Sequence, residues 1–283
     1  MARFTNQAQL AYRNRITTSN IAVGEILEVL SAAKHAVVET YESYDVITYV
    51  VSLVNSGATA LTGLVLTDNL GAYTFNETSL FPLQYVANSL KYYVNGVLQT
   101  SPVIASQEPL QIEGISIPAQ GNAVVIYQAA LTQFAPPATD STITNQAVIS
   151  GTGISSITVE ETISALAEPI LNITKSISPV PVTENGALTY TFVIENRGNV
   201  PADPVDLIVI TDQFNPILSD LTVTFNGTAW AEGTQYTYDQ TTGLFTTKAG
   251  EITVPAATFT QNADTGAWSV IPGTSTLVIT GTV

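Results

Sequence analysis

Cysteine is absent from all 283 residues, and histidine and methionine occur once each. Without cysteine the chain forms no disulfide and offers no thiolate, which excludes zinc–thiolate sites and cysteine nucleophiles. Basic residues are scarce: 8 Lys plus Arg stand against 23 Asp plus Glu, a formal net charge of −15. A chain of that sign has little with which to neutralise phosphates, so nucleic acid is not an expected partner. Only 11% of residues are charged, against roughly 25% in an ordinary soluble domain. Long apolar runs are also missing, and nothing approaches the roughly 18 residues of a membrane span. The first ten residues, from Met1 to Leu10, are too polar for a signal peptide. The expectation is a protein made and left in the cytoplasm of its cell, unless that cell later lyses.

What is abundant is apolar and β-branched. Hydrophobic residues make up 45% of the chain, which excludes general disorder. Short alternating runs recur, as in Val46-Ile-Thr-Tyr-Val-Val-Ser-Leu-Val54, Leu188-Thr-Tyr-Thr-Phe-Val-Ile194 and Ser275-Thr-Leu-Val-Ile-Thr-Gly-Thr-Val283. Turn residues separate them: Asn55-Ser-Gly57, Asn95-Gly96, Asn196-Arg-Gly198 and Asn226-Gly227. Short strands between turn signals predict an all-β chain built of β-sandwiches. Residues 24–34 and 158–165 are both read as strands.

An internal repeat of about 140 residues sets the organisation. Lys34 aligns with Lys175, Tyr49 with Tyr190, Asn55-Ser-Gly57 with Asn196-Arg-Gly198, and Thr67-Asp68 with Thr211-Asp212. The first copy continues through Thr142-Ile-Thr-Asn-Gln-Ala-Val-Ile149 and a further strand, whereas the second stops at Val283. The missing piece stands at the other end of the chain, where Phe4-Thr-Asn-Gln-Ala-Gln-Leu10 matches residues 143–149. The spacing agrees, with 28 positions from Asn6 to Lys34 (34 − 6) and 30 from Asn145 to Lys175 (175 − 145). The division expected is residues 1–30 as a donor strand segment, 31–168 as a first sandwich and 169–283 as a second lacking its last strands. A sandwich without its final strand has an open edge that templates another strand, and residues 1–30 lead straight into the first repeat. The expectation is therefore strand addition between subunits, head to tail.

Strand alternation also gives direction. Lys34 shares a face with Leu30, Ala32 and Ala36, and Lys175 with Leu171, Ile173 and Ile177. Asp68 goes with Leu64, Leu66 and Leu70; Asp212 goes with Ile208, Ile210 and Phe214. Asn145 goes with Ile143, Ala147 and Ile149; Asn6 goes with Phe4, Ala8 and Leu10. Each repeat thus sends a Lys, an Asp and an Asn toward its core. Burial lowers an amine's pKa and raises a carboxyl's, so a neutral lysine can attack the asparagine amide while the acid polarises its carbonyl. The product is a Lys–Asn isopeptide bond, with Lys34 and Asn145 joined within a subunit and Lys175 and Asn6 between subunits. Asp68 and Asp212 are the promoting acids. The alternative is a buried Lys–Asp pair with Asn as a hydrogen-bond partner, or a lysine that snorkels outward.

The pattern of Lys34, Tyr49 to Gly57, Thr67-Asp68 and Thr144-Asn-Gln-Ala147 resembles the bacterial surface repeat known as domain of unknown function eleven. The second copy reads Lys175, Tyr190 to Gly198 and Thr211-Asp212, with Thr5-Asn-Gln-Ala8 from the N-terminus. The resemblance implies two tandem Ig-like β-sandwich domains of extracellular stalks, with isopeptide bonds. A short two-repeat chain without a signal peptide or wall anchor is also similar to clostridial spore-appendage subunits. That similarity implies a self-assembling fibre at the spore surface, with an anchoring protein there as a further partner.

Other motifs carry less. Asp264-Thr-Gly266 echoes the aspartic-protease triplet, but that chemistry needs two carboxylates, and a hairpin tip is expected. Asp239-Gln-Thr-Thr-Gly243 is a similar turn. His35, next to Lys34, is expected to face outward. Glu160, Glu161, Asp203 and Asp206 lack the dense spacing of a calcium loop. No cofactor and no metal are expected, and the chain is not read as an enzyme. The competing function is a surface-layer or adhesin module that binds host or matrix ligands.

Overall fold

The computed structural model describes residues 2–283, except for the side chains of residues 2 and 26. Apart from one short 3-10 turn at Pro204–Asp206, the regular structure described is all strand. The chain divides into two compact units. One holds residues 1–135 and 143–163, the other 136–142 and 164–283.

In the first unit the alternation becomes two facing sheets. One runs Val97–Gln99, Lys91–Val94, Asn122–Leu131, Val46–Asn55, Leu30–Ala36. The other runs Val103–Gln107, Leu110–Ile117, Leu61–Asp68, Thr142–Ser150, Ile157–Ala165, Thr40–Tyr41. Every second residue of Val46–Asn55 is buried between them, since successive side chains leave opposite faces of a strand. Tyr49, Val51, Leu53, Leu66, Ile112, Val125, Tyr127 and Ile149 fill the space between the sheets. This is a β-sandwich of the Ig-like kind, as expected.

The second unit repeats the first sheet more fully than the second. Leu171–Ser178, Ala187–Asn196, Gly273–Thr282, Ser219–Phe225 and Thr228–Trp230 form one sheet. Facing strands are short: Thr211–Gln213, Leu244–Thr247 and Tyr236–Asp239. Phe192, Phe214, Phe245 and Ile279 are buried in this core. In the first unit Leu61–Asp68 lies between Leu110–Ile117 and Thr142–Ser150, with Ala147 opposite Asp68 and Ile149 opposite Leu66. In the second, residues 207–210 belong to no strand, and Leu207 and Val209 are exposed. All eight residues of Leu171–Ser178 are exposed as well, including the face of Leu171, Ile173 and Ile177.

The N-terminal segment differs from the single strand read in the sequence. It is a hairpin, with Ala2–Asn6 against Ala22–Ile26 and Gln9–Tyr12 against Arg15–Thr18. Arg13 and Asn14 turn it with φ of 43° and 62°, the two left-handed residues of a tight hairpin turn. Arginine has no preference for that conformation, so the turn leaves little trace in the sequence. Residues 24–34 accordingly are not one strand; the ladder breaks at 27–29 before Leu30–Ala36 begins.

The Asn-x-Gly repeats prove to be structural. Asn55 Oδ1 accepts from Gly57 N and Asn196 Oδ1 from Gly198 N, each at 2.9 Å. Each turn also holds the chain entering its domain, through Ser56 N to Val29 O and Arg197 N to Ile170 O, each 2.8 Å. The approach is close at Gly198, where an added Cβ would lie 2.1 Å from the Glu168 carbonyl oxygen and 2.6 Å from Ile170 N. Gly198→Ala is expected to lower stability by about 1–3 kcal/mol, as overpacking does. Urea unfolding measures it, and an unchanged midpoint would mean that the entering chain shifts freely.

Candidate functional site

Lys34, Asp68 and Asn145 stand on three separate strands whose alternation aims them inward, and the structure brings them together. The Lys34 Nζ donates to Asp68 Oδ2 at 2.6 Å and to the Asn145 main-chain oxygen at 2.9 Å. The lysine and aspartate side chains are both fully buried. The amine also lies 4.8 Å from the centre of the Tyr49 ring. Tyr127 donates its hydroxyl to the same Asp68 Oδ2. Asp68 Oδ1 accepts from Leu70 N at 2.8 Å, so both carboxylate oxygens are engaged.

Burial lowers the Lys34 pKa, and the attraction of Asp68 works against that shift. Desolvation raises both Tyr49 and Tyr127, and the charge of Asp68 adds to the rise at each. Nδ2 and Oδ1 of Asn145, and the Tyr49 hydroxyl, make no hydrogen bond of ordinary geometry. A buried polar group left without a partner costs about 1–3 kcal/mol. The carboxamide of Asn145 is thus unsatisfied on both atoms while a buried amine bonds its own main chain. Proton transfer along the Lys34–Asp68 hydrogen bond would give a neutral amine and a carboxylic acid. Such a pair suits acyl transfer at Asn145 Cγ.

Tyr127 is the residue that sequence reasoning missed. Its signal was present: it alternates inward in Asn122–Leu131 and lies directly opposite Tyr49. The rings stack at 5.7 Å between centroids.

The second unit holds two of its three expected residues together. Lys175 and Asp212 form an ion pair, with the amine 4.3 Å from the Tyr190 ring centre and 5.5 Å from that of Phe214. Here the side chains are 39% and 17% exposed. Ile279 lies opposite Tyr190, at the position Tyr127 holds in the first unit, so no phenol reaches Asp212 from that strand. Asn6 stands exposed in the hairpin opposite Ala22.

The remaining sequence motifs are turns and surface. Asp264 lies in the tip joining Thr258–Gln261 to Trp268–Ile271. Asp239 caps its own turn through Thr241 N and the Thr242 hydroxyl. His35 is exposed, with Nδ1 3.7 Å from Glu161. Among the described residues no cluster of three or more His, Asp or Glu side chains could hold a metal. No helix there is long and apolar enough to cross a membrane.

No family model matches the chain, and no curated protein matches it. Solved structures similar to it include BcpA, the major pilin subunit of Bacillus cereus. That likeness has 9% identity over 96% of this chain and 73% of that one, with a TM-score of 0.36. The pilus backbone protein RrgB of Streptococcus pneumoniae is similar at 10% identity over 86% of this chain, with a TM-score of 0.32; the match spans 55% of that chain. A collagen-binding subdomain of the Enterococcus faecalis surface protein ACE is similar at 8% identity over 50% of this chain and 99% of that one, with a TM-score of 0.30.

Proposed function

We propose that the chain is a structural subunit that assembles head to tail into an extracellular fibre, of the spore-appendage type. The N-terminal segment of one subunit completes the second sandwich of the next. The observation that supports this reading most is the contrast between two copies of one domain. The first has its Lys–Asp–Asn cluster closed over by Thr142–Ser150. The second leaves Leu171, Ile173 and Ile177 exposed on the face that strand would cover, and residues 207–210 outside any strand beside its place. The chain carries the absent motif, Thr5-Asn-Gln-Ala8, at its other end. Residues 27–29 join it directly to Leu30 of the first domain, which already owns both of its closing strands. Net acidity keeps finished fibres mutually repulsive.

Lys–Asn isopeptide bonds reinforce the assembly in this reading. The Lys34 amine, having given its proton to Asp68, attacks Asn145 Cγ. The new C–N bond forms, the Cγ–Nδ2 bond breaks, and Nδ2 leaves as ammonia with the protons balanced through Asp68. Holding the partners in contact supplies much of the rate. Lys175, Asp212 and the incoming Asn6 would do the same between subunits. The reaction happens once per site, so it does not make the protein an enzyme.

Electron microscopy and denaturing electrophoresis of wild type and Asn6→Ala test the reading together. Filaments, with a boiling-resistant ladder that Asn6→Ala abolishes, are expected. Filaments without a ladder would leave donation noncovalent. Monomers alone would overturn the fibre, and glycan or matrix binding by those monomers would favour the adhesin reading.

A pH dependence follows for Asn145→Ala, in which Lys34 stays an amine. Its pKa is lowered from 10.5 by burial, so below 10.5 the unfolded chain holds the extra proton and stability rises with pH. Tyr49 and Tyr127 are raised above 10.0, so above 10.0 the folded chain holds the extra protons and stability falls. The urea midpoint of this variant is expected to climb toward about pH 10 and then drop. Wild type, with Lys34 held as an amide, is expected to lack the climb. A climb in wild type would show a free amine.

A further inference from the structure

The N-terminal hairpin and the open side of the second domain are two halves of an arrangement that the first domain has whole. We infer that the piece passed between subunits is the entire hairpin, residues 2–26 of a second copy of this chain, docked as a preformed two-stranded body in one register. This rests on the head-to-tail reading above.

In the first domain two consecutive strands follow Leu61–Asp68 in the second sheet: Thr142–Ser150, and beside it Ile157–Ala165, with Thr40–Tyr41 at the edge. The inner strand buries Ile143, Asn145, Ala147 and Ile149, and the outer one buries Ile163 and Ala165. Among the described residues of the second unit neither strand has a counterpart. A single donated strand would replace the inner one and leave the outer place, with its buried apolar residues, unfilled. The hairpin supplies both, its 2–12 arm carrying the Thr-Asn-Gln-Ala motif and its 15–26 arm taking the outer place.

The hairpin has the two faces such docking needs. Opposed residues share a side, so Phe4, Gly24, Asn6 and Ala22 lie on one face. The Phe4 ring covers Gly24, where an added Cβ would meet it at 2.2 Å. The other face carries Arg3 and Glu25, paired at 2.7 Å, with Thr5 and Val23. Phe4, Leu10 and Tyr12 are all more than half exposed. A lone two-stranded hairpin is marginal in water, and an apolar face without a sheet against it adds to that cost. The open domain and the hairpin therefore each present the surface that the other lacks.

The register follows from the shared motif. First-domain pairs Ala147–Asp68, Val148–Thr67 and Ile149–Leu66 become Ala8 opposite Asp212, Gln9 opposite Thr211 and Leu10 opposite Ile210. Asn6 then takes the place of Asn145, beside Lys175, and Phe4 takes that of Ile143. Residues 207–210, outside any strand in the free chain, would become strand on docking.

The cysteine-free background makes the test direct. Thr5→Cys with Val23→Cys, a facing pair on the outer side, locks the two arms by a disulfide without touching the docking face. The oxidised variant is expected to polymerise to within about twofold of its reduced form. If it polymerises only when reduced, the hairpin opens to donate one strand; the inference is then overturned while the fibre reading stands. If neither form nor wild type polymerises, the fibre reading itself has failed. For register, Gln9→Cys with Thr211→Cys, in an Asn6→Ala background, is expected to give a reductant-sensitive ladder. A ladder from Gln7→Cys with Thr211→Cys in place of it would overturn the register.

Discussion

Replacing Asn145 by Ala is expected to abolish a mass deficit of about 17 Da, the ammonia lost when an isopeptide bond forms. The measurement is intact mass under denaturing conditions, with Asn6→Ala as background so that only the first domain contributes. The partners are 111 residues apart in sequence. By the chain-entropy argument for cross-links, closing a loop of that length is worth about 4–5 kcal/mol, and the urea midpoint should fall accordingly. Asp68→Ala should also abolish the deficit, and at greater cost. It leaves the Lys34 amine buried with its partner gone, where breaking a buried pair costs about 3–5 kcal/mol. If wild type shows its full sequence mass, the cluster is an ion pair with asparagine beside it, and covalent reinforcement is removed from the proposal.

A charge on the docking face is expected to stop assembly. Leu10→Asp would place a carboxylate against Ile210, which is already buried in the free chain. Burying an unpaired charge costs several kcal/mol, enough to weaken subunit association by about a thousandfold or more. Thr5→Asp, on the outer face with Arg3 and Glu25, should leave filaments intact. Light scattering and microscopy of the two variants at equal concentration read the difference. Loss of filaments in both would point to the hairpin's own stability; persistence in both would remove the 2–12 arm from the interface.

The two copies also differ in what surrounds their acids. Tyr127 donates to Asp68 from within a closed core, whereas Ile279 stands in its place in the second domain. If Asn6 of a second subunit joins Lys175 as proposed, that site would lack the Tyr127 donor, and covalent joining there would depend more heavily on what the incoming hairpin brings.

Much of the site was legible in the sequence because strands alternate with a period of two. Lys34, Asp68 and Asn145 each fell on the apolar parity of their run, and all three are buried. The offset repeat was legible too, since Thr-Asn-Gln-Ala occurs at both residues 5–8 and 144–147. Parity gives a face but not a distance. That Lys34 meets both Asp68 and the Asn145 main chain within 2.9 Å depends on the register of Leu30–Ala36, Leu61–Asp68 and Thr142–Ser150. These strands come from sequence positions far apart, and their register is set by packing across two sheets.

The same limit explains what was missed. The turn at Arg13-Asn14 has no glycine to announce it, so the N-terminal segment read as one strand. Only the paired backbone reveals a hairpin. The Tyr127–Asp68 contact joins residues 59 apart on different sheets, and nothing local in either run specifies it. The sequence by itself determined the class of fold, the inward faces and the displaced repeat, because these follow from local periodicity and identity. Tertiary structure alone decided which buried groups touch, which polar atoms go unsatisfied and how many strands the N-terminus carries. Those depend on long-range register and close packing, which no local pattern encodes.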